Sequence, residues 1–158
     1  MWNLLRSRRS TLKQRKILLL ERVCEERIML IFGHRFLPSE HFYHVSDIDA
    51  IENTPPSSTL FIKFSEENLD IINHANKNDV TLALEVEEIT QIIYASALNA
   101  KYIIVSQSFA KIAQELANNY LFDAKILVKI EDEEEIEALA ILGVDGVIFS
   151  NAIVKINS

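Results

Sequence analysis

The stretch Ile103-Ile104-Val105-Ser106 is one of five short runs in which three apolar residues are followed by a polar one. The others are Leu60-Phe61-Ile62-Lys63, Leu82-Ala83-Leu84-Glu85, Ile126-Leu127-Val128-Lys129 and Val147-Ile148-Phe149-Ser150. The five polar residues follow one another at intervals of 22, 21, 23 and 21 residues, with a helix-like stretch between each pair of runs. Apolar strands that alternate with helices predict a parallel sheet joined by crossover helices.

The number of repeats limits which α/β architectures the chain can form. With the strand that Met29 opens, the sequence predicts six βα units, whereas a closed TIM barrel has eight. We therefore predict that residues 29–158 form a single α/β domain with a partial, half TIM-barrel-like sheet, which dimerisation could close. An open flavodoxin-like sheet is the alternative. The uniform repeat and the short connections favour the barrel-like form.

Apolar periodicity and capping residues place the helices of this domain. They are predicted near residues 47–52, 66–77, 87–98, 108–120 and 132–142. Ser46, Ser65 and Ser108 are the expected N-terminal residues of three helices, and Gly143 is expected to end the last one. The side chains expected to face the sheet are Leu69, Ile72, Ala75, Ile89, Ile92, Ile93, Leu98, Phe109, Ile112, Ala113, Leu116, Ile136, Leu139, Ala140 and Leu142.

Charge separates the first residues from the rest of the chain. Residues 1–35 hold nine Lys or Arg against three Glu, whereas residues 36–158 hold seven Lys or Arg against twenty Asp or Glu, a net charge of −13. Phosphate contacts need Lys and Arg, so the acidic body argues against a nucleic-acid partner. No apolar run is long enough to span a membrane. Cys24 is the single cysteine, which excludes an intramolecular disulfide and favours a reducing, cytoplasmic setting.

Residues 1–28 are predicted to be a basic helical extension, and three interpretations of it are open. Residues 1–27 could pack on the body or on a partner, or lie on an anionic membrane surface. The third interpretation is a misassigned start, with translation beginning at Met29. It rests on Glu25-Glu26-Arg27, which a purine-rich bacterial ribosome-binding site could encode.

The polar ends of the five runs are the first candidate site. The carboxyl ends of parallel strands meet at one edge of a sheet, where α/β proteins bind their ligands. Lys63, Glu85 and Lys129 are the candidate catalytic residues, because a carboxylate between two amines can serve in acid–base or Schiff-base chemistry. The competing interpretation is a solvated, ion-paired rim.

Two further kinds of site are considered. The chain lacks a glycine-rich phosphate loop, but backbone N–H groups at two strand ends could hold a phosphate; the residues concerned are Ser106, Gln107, Ser108, Ser150 and Asn151. His34, His41 and His44 lie within eleven residues and are weak metal candidates, since their spacing fits no metal motif. We expect neither a bound metal nor a cofactor.

Residues 99–152 resemble the ketodeoxyphosphogluconate aldolase branch of the TIM-barrel aldolases. The segment from Asn99 to Phe109 is similar to that family's "GAxFIVSPGF" strand, and Glu133 to Asp145 is similar to its "PSEIxxALELGAD". The resemblance implies a βα-barrel fold. The family's next strand, "DVVKFFPA", carries a lysine that forms a Schiff base, but Ile148 occupies that position here. Isoleucine cannot form an imine, so aldolase chemistry by that route is excluded.

Together these features predict a cytoplasmic βα-barrel-like domain that is non-catalytic and acts through self-association or a protein partner. The alternative is a small enzyme, or a binder of phosphorylated metabolites, that uses the strand-end residues.

Overall fold

The computed structural model describes residues 28–156, and within this range eight parallel strands form one sheet. The strands are β1 (Leu30–Phe32), β2 (Phe42–Val45), β3 (Thr59–Lys63), β4 (Thr81–Glu85), β5 (Tyr102–Val105), β6 (Lys125–Ile130), β7 (Gly146–Phe149) and β8 (Ile153–Ile156). The basic extension predicted for residues 1–28, including its amphipathic helix, lies outside the described residues except for Ile28.

Five α-helices connect the strands in the described part of the chain. They are α1 (Ile48–Glu52), α2 (Leu69–Lys77), α3 (Ile89–Ala97), α4 (Ala110–Asn119) and α5 (Glu135–Leu142). Short 3-10 turns cover Glu66–Asn68, Gln107–Phe109 and Ser150–Ala152. Between Ile28 and Ile156, no helix is long and apolar enough to cross a membrane.

The sheet is a curled, open half-barrel. Its strand order is β1-β7-β6-β5-β4-β3-β2-β8. In a flat sheet of this order, Phe32 on β1 and Phe42 on β2 would be about 29 Å apart, because six strand spacings separate them. Their ring centroids are instead 5.0 Å apart, and both rings also pack against Tyr102 on β5. The barrel-like prediction is therefore confirmed, and the flavodoxin-like alternative is wrong.

Curling divides the buried side chains into two clusters. On the convex side, one face of each strand packs against the helices. The concave cluster consists of Phe32, Phe42, Phe61, Ala83, Tyr102, Ile104, Leu127, Ile148 and Ala152. Seven of the eight strands contribute to it, so the concave face is a packed core below the carboxyl ends of the strands.

The short connection from β7 to β8 crosses the carboxyl end of β1. A Cβ at Gly33 would lie 2.6 Å from Asn151 Oδ1 and 2.9 Å from the Cβ of Ala152, and Gly33 has a φ of +85°. Only glycine fits there, because both the space and the backbone conformation exclude a side chain. The crossing lets β8 pair with β2. The six predicted βα units do not include β8, because no helix separates it from β7.

The helix starts differ from the prediction in detail. Asp47, not Ser46, precedes α1, and its Oδ1 accepts a hydrogen bond from the backbone N–H of Ala50 at 2.7 Å. Ser65 precedes a 3-10 turn and makes no capping hydrogen bond, while Ser108 lies inside another such turn. Gly143 ends α5 in the left-handed conformation, as predicted.

Several side chains expected to face the sheet are exposed. Ile89 and Ile93 on α3, Ile112 on α4, and Ala140 and Leu142 on α5 all lie on the surface. Besides Ile71, Ile72, Ile92 and Leu139, the helices approach the sheet through small residues, because alanine lets a helix axis come close; the buried helical alanines are Ala50, Ala75, Ala95, Ala110, Ala113 and Ala117. Larger neighbours are then displaced to the flanks.

Candidate functional site

Seven strands each place one polar residue directly above the concave cluster. Side chains alternate along a strand, so the residue two positions after a concave-core residue faces the same side. Applied to strands β2 to β8, this relation defines the concave rim, which consists of His44, Lys63, Glu85, Ser106, Lys129, Ser150 and Lys155. The rim contains all five polar residues that the sequence repeat singles out. The structure thus brings the predicted candidates to one face and one end of the sheet.

The pKa of His44 depends on charged residues of the rim. Its imidazole stacks edge-on against Phe61, with 5.3 Å between ring centroids. Burial lowers the pKa of His44 below its ordinary value, the positive charges of Lys155 and Lys129 lower it further, and the carboxylate of Glu85 acts in the opposite direction. His44 is therefore held mainly neutral near pH 7. All three charged groups lie close enough to act on one imidazole.

Lys63 and Glu85 are paired positions on neighbouring strands β3 and β4. Lys63, however, forms an ion pair with Glu87, at 2.9 Å between Nζ and Oε1, and half of its side chain is exposed. The hydrogen bond and the charge of Glu87 raise the pKa of Lys63. Lys63 is therefore a charged outer residue of the rim rather than a proton acceptor at neutral pH.

In the described part of the chain, Lys129 and Lys155 differ from Lys63 in having no carboxylate partner. Within residues 28–156, no ion pair joins either lysine to another side chain. Lys129 is half-buried, and Lys155 is exposed on the edge strand β8, opposite His44 on β2. Lys129 is also the register partner of Ile148, the position at which the aldolase-like motif has its lysine. Two unpaired amines thus face the same histidine.

Two serines of the rim, Ser106 and Ser150, follow the strands on either side of the one that carries Lys129. Ser106 Oγ lies 2.9 Å from Ser108 Oγ, and both are exposed at the start of the turn Gln107–Phe109. Ser150 donates a hydrogen bond to Glu131. Gln107 and Asn151 are exposed beside these serines. The five predicted ligand-binding residues are therefore located at the rim and its margin, and their binding role stays a prediction.

The three histidines have separate surroundings. His34 Nε2 lies 3.2 Å from Glu133 Oε1, which also pairs with Arg35 at 3.1 Å. The His34 ring additionally packs against Phe149, whereas His41 is exposed and His44 belongs to the rim. Across the part of the chain that the structure describes, no group of three His, Cys, Asp or Glu side chains could hold a metal ion. His34, His41 and His44 therefore do not form one.

A separate cavity opens at the amino-terminal end of the sheet. It has a volume of about 420 Å³ and lies between the segment Thr54–Ser58 and the segment Asn78–Thr81. Asp79 is its single ionisable lining residue. It lacks the cations of the rim, so the rim is the stronger candidate for an anionic ligand.

Sequence reasoning missed two members of the rim. Lys155 lies on β8, which was not predicted, and His44 was considered only as a metal candidate. Both could have been predicted from the sequence. Lys155 lies two residues after Ile153 and His44 lies two residues after Phe42, and both apolar residues pack on the concave side. The strand period of two, applied to every apolar run, would have found them.

No protein-family model matches the chain, and no curated protein matches it. The resemblance of residues 99–152 to the aldolase branch accordingly stays a prediction about the fold.

Proposed function

We propose that the chain is a cytoplasmic protein that binds a small phosphorylated metabolite at the concave rim. The observation that carries this proposal is the pair of lysines, Lys129 and Lys155, that face His44 without a carboxylate partner in residues 28–156. Both lysines place positive charge near His44, and an anion bound beside them would offset that charge. The chain from residue 36 onwards is otherwise strongly acidic, so this local excess of positive charge distinguishes the rim.

The remaining rim residues suit the other parts of such a ligand. Hydroxyl groups of Ser106 and Ser108 are available to phosphate oxygens or sugar hydroxyls, as serine both donates and accepts hydrogen bonds. Glu85 would accept a hydrogen bond from a hydroxyl group. Above an apolar floor that includes Ile104 and Leu127, this arrangement favours a compact polyol phosphate over a planar aromatic ligand.

Phosphate titration followed by the His44 ring signal in NMR tests the proposal. Inorganic phosphate and glycerol 3-phosphate are the probes. Either anion is expected to raise the pKa of His44, because a nearby negative charge favours the imidazolium form. Lys129→Gln and Lys155→Gln should each weaken binding by roughly tenfold, the ordinary value of one charged hydrogen bond.

Lys111→Gln is the matched control, since Lys111 is exposed on α4 and not on the rim. Its affinity for both probes should equal that of the wild type. The proposal is wrong if both rim variants bind as tightly as this control, or if the His44 signal does not respond to about 10 mM of either probe.

A small enzyme using the same rim is the catalytic version of this proposal. Lys129 is adjacent to Ile148 across the β6–β7 pair, so an amine lies one strand away from the Schiff-base position of the aldolase-like motif. Borohydride reduction in the presence of pyruvate separates the two versions. A stable adduct on Lys129 would favour catalysis, whereas its absence together with phosphate binding favours a non-catalytic binder.

We propose self-association as a second function, favoured by the open sheet. Among residues 28–156, the edge strands β1 and β8 each have one hydrogen-bonded neighbour, and an unpaired strand edge can pair with another chain. Light scattering after size exclusion measures the mass directly. A dimer that Val154→Lys on β8 converts to a monomer would support association through this edge, whereas a monomer at all concentrations would exclude it.

A further inference from the structure

Within residues 28–156, no helix precedes β1, whereas its neighbour β7 follows α5. A helix precedes each strand from β3 to β7, whereas β7 leads directly into β8 and residues 33–41 join β1 to β2 without a helix. Met29 and Ile31 consequently remain only partly buried on the convex side. Within residues 28–156, no helix adjoins β1 in the chain on either side.

The neighbouring helix α5 presents an apolar stripe that is exposed in the described part of the chain. Ala138, Ile141 and Leu142 follow one another at helical spacing and share one side of α5. Ile141 is 81% exposed and Leu142 is 40% exposed. Exposed Glu134 and Glu137 border this stripe. An apolar strip with acidic margins fits a segment that is apolar on one side and basic around it.

The chain itself supplies such a segment at this place. Residues 1–27 carry eight Lys or Arg against three Glu, and their apolar residues include Leu12, Ile17, Leu18, Leu19 and Val23. They join the body at Ile28, two residues before Leu30, which pairs with Gly146 just beyond the end of α5. As a helix, residues 12–23 would be about 18 Å long, comparable with the 12 Å or so of α5. Residues 24–27 are long enough to turn the chain.

We propose that residues 12–23 dock on the convex side of their own chain, over β1 and against the stripe of α5. In the described residues two neighbouring strand pairs, β1–β7 and β2–β8, lack a crossover helix, and the segment completes the helical layer at the first of them. Its leucines cover Ile141 and Leu142, and its basic residues face Glu134 and Glu137.

Hydrogen exchange of the full chain, followed by mass spectrometry, tests this docking. Amides of residues 12–23 are expected to exchange slowly, and equally so at low and high protein concentration. Ile141→Glu places a charge within the stripe and should speed their exchange by about tenfold. Ile93→Glu is the matched control, because Ile93 is an exposed isoleucine on α3, and it should leave the exchange unchanged.

Glu137→Lys provides a second variant that retains the apolar stripe and reverses one bordering charge, and it should also speed exchange at low salt. The proposal is overturned if residues 12–23 exchange as fast as unstructured chain in the wild type, or if both stripe variants leave their exchange unchanged. Protection that disappears on dilution would assign the stripe to a second copy. Protection that requires phosphatidylglycerol vesicles would assign the segment to a membrane surface.

Discussion

Three charged residues of the concave rim act on the pKa of His44. Burial and two lysines oppose its protonation, while Glu85 partly compensates. A histidine with these neighbours responds to any anion that enters the rim. In the function we propose, it would contact the phosphate and report its binding.

The lowered pKa of His44 makes folding sensitive to acid. Below about pH 6.5 the unfolded chain binds a proton at this position more readily than the folded chain does, so its contribution to the free energy of unfolding falls as the pH falls. His44→Gln removes the titrating group. Its stability should therefore decline less than that of the wild type between about pH 7.5 and about pH 5.5, as measured by urea unfolding.

His41→Gln is the control for this measurement, because His41 is exposed and precedes β2 at the opposite end of the strand from the rim. Its stability should follow the wild-type profile. Equal slopes for His44→Gln and the wild type would contradict the environment inferred for His44.

At the scale of single elements, the helices pack on the sheet through a few buried residues, several of them alanines, rather than through broad apolar faces. Only Leu139 is fully buried on α5, although most of that helix is apolar. The curved convex surface touches each short helix along a narrow line. Amphipathic periodicity therefore locates a helix correctly but overstates how many of its residues are buried.

Ser46 and Asp47 are the two adjacent candidates for the N-cap of α1, and substituting each of them tests which one stabilises the helix. Asp47→Ala should lower the free energy of unfolding by about 1 kcal/mol, because the N–H of Ala50 loses its acceptor. Ser46→Ala should change it by less than about 0.5 kcal/mol, since Ser46 is exposed and outside the cap. Denaturant unfolding of both variants compares them directly. A larger loss for Ser46→Ala would mean that the cap is misassigned.

At the scale of the whole molecule, contacts across the concave face maintain the curl. Phe32, Phe42 and Tyr102 come from three strands that are distant in sheet order, and their rings pack together. This aromatic group holds the two ends of the sheet close to each other. It also forms part of the apolar floor beneath the rim.

Phe42→Ala is therefore expected to cost about 3–5 kcal/mol in the free energy of unfolding, the usual range for a buried phenylalanine. Phe36→Ala, at a residue that is 72% exposed, should cost little. Thermal or urea unfolding measures both. Similar losses for the two variants would show that the aromatic group does not support the curl.

The sequence by itself determined the local features of this protein, because they depend on neighbouring residues. Apolar runs predicted β3 to β7, periodicity predicted the helices between them, and the period of 21–23 residues located five of the seven rim residues. Gly143 was recognisable as a helix end for the same reason.

The tertiary structure alone decided how these parts meet. The sheet order, the crossing of the turn Ser150–Ala152 over Gly33, and the pairing of β8 with β2 all join residues that are far apart in sequence. The surroundings of His44 likewise depend on Lys129 and Lys155, which come from strands at opposite sides of the sheet. Strand pairing and charge proximity depend on distances in space, whereas sequence patterns report only on distances along the chain.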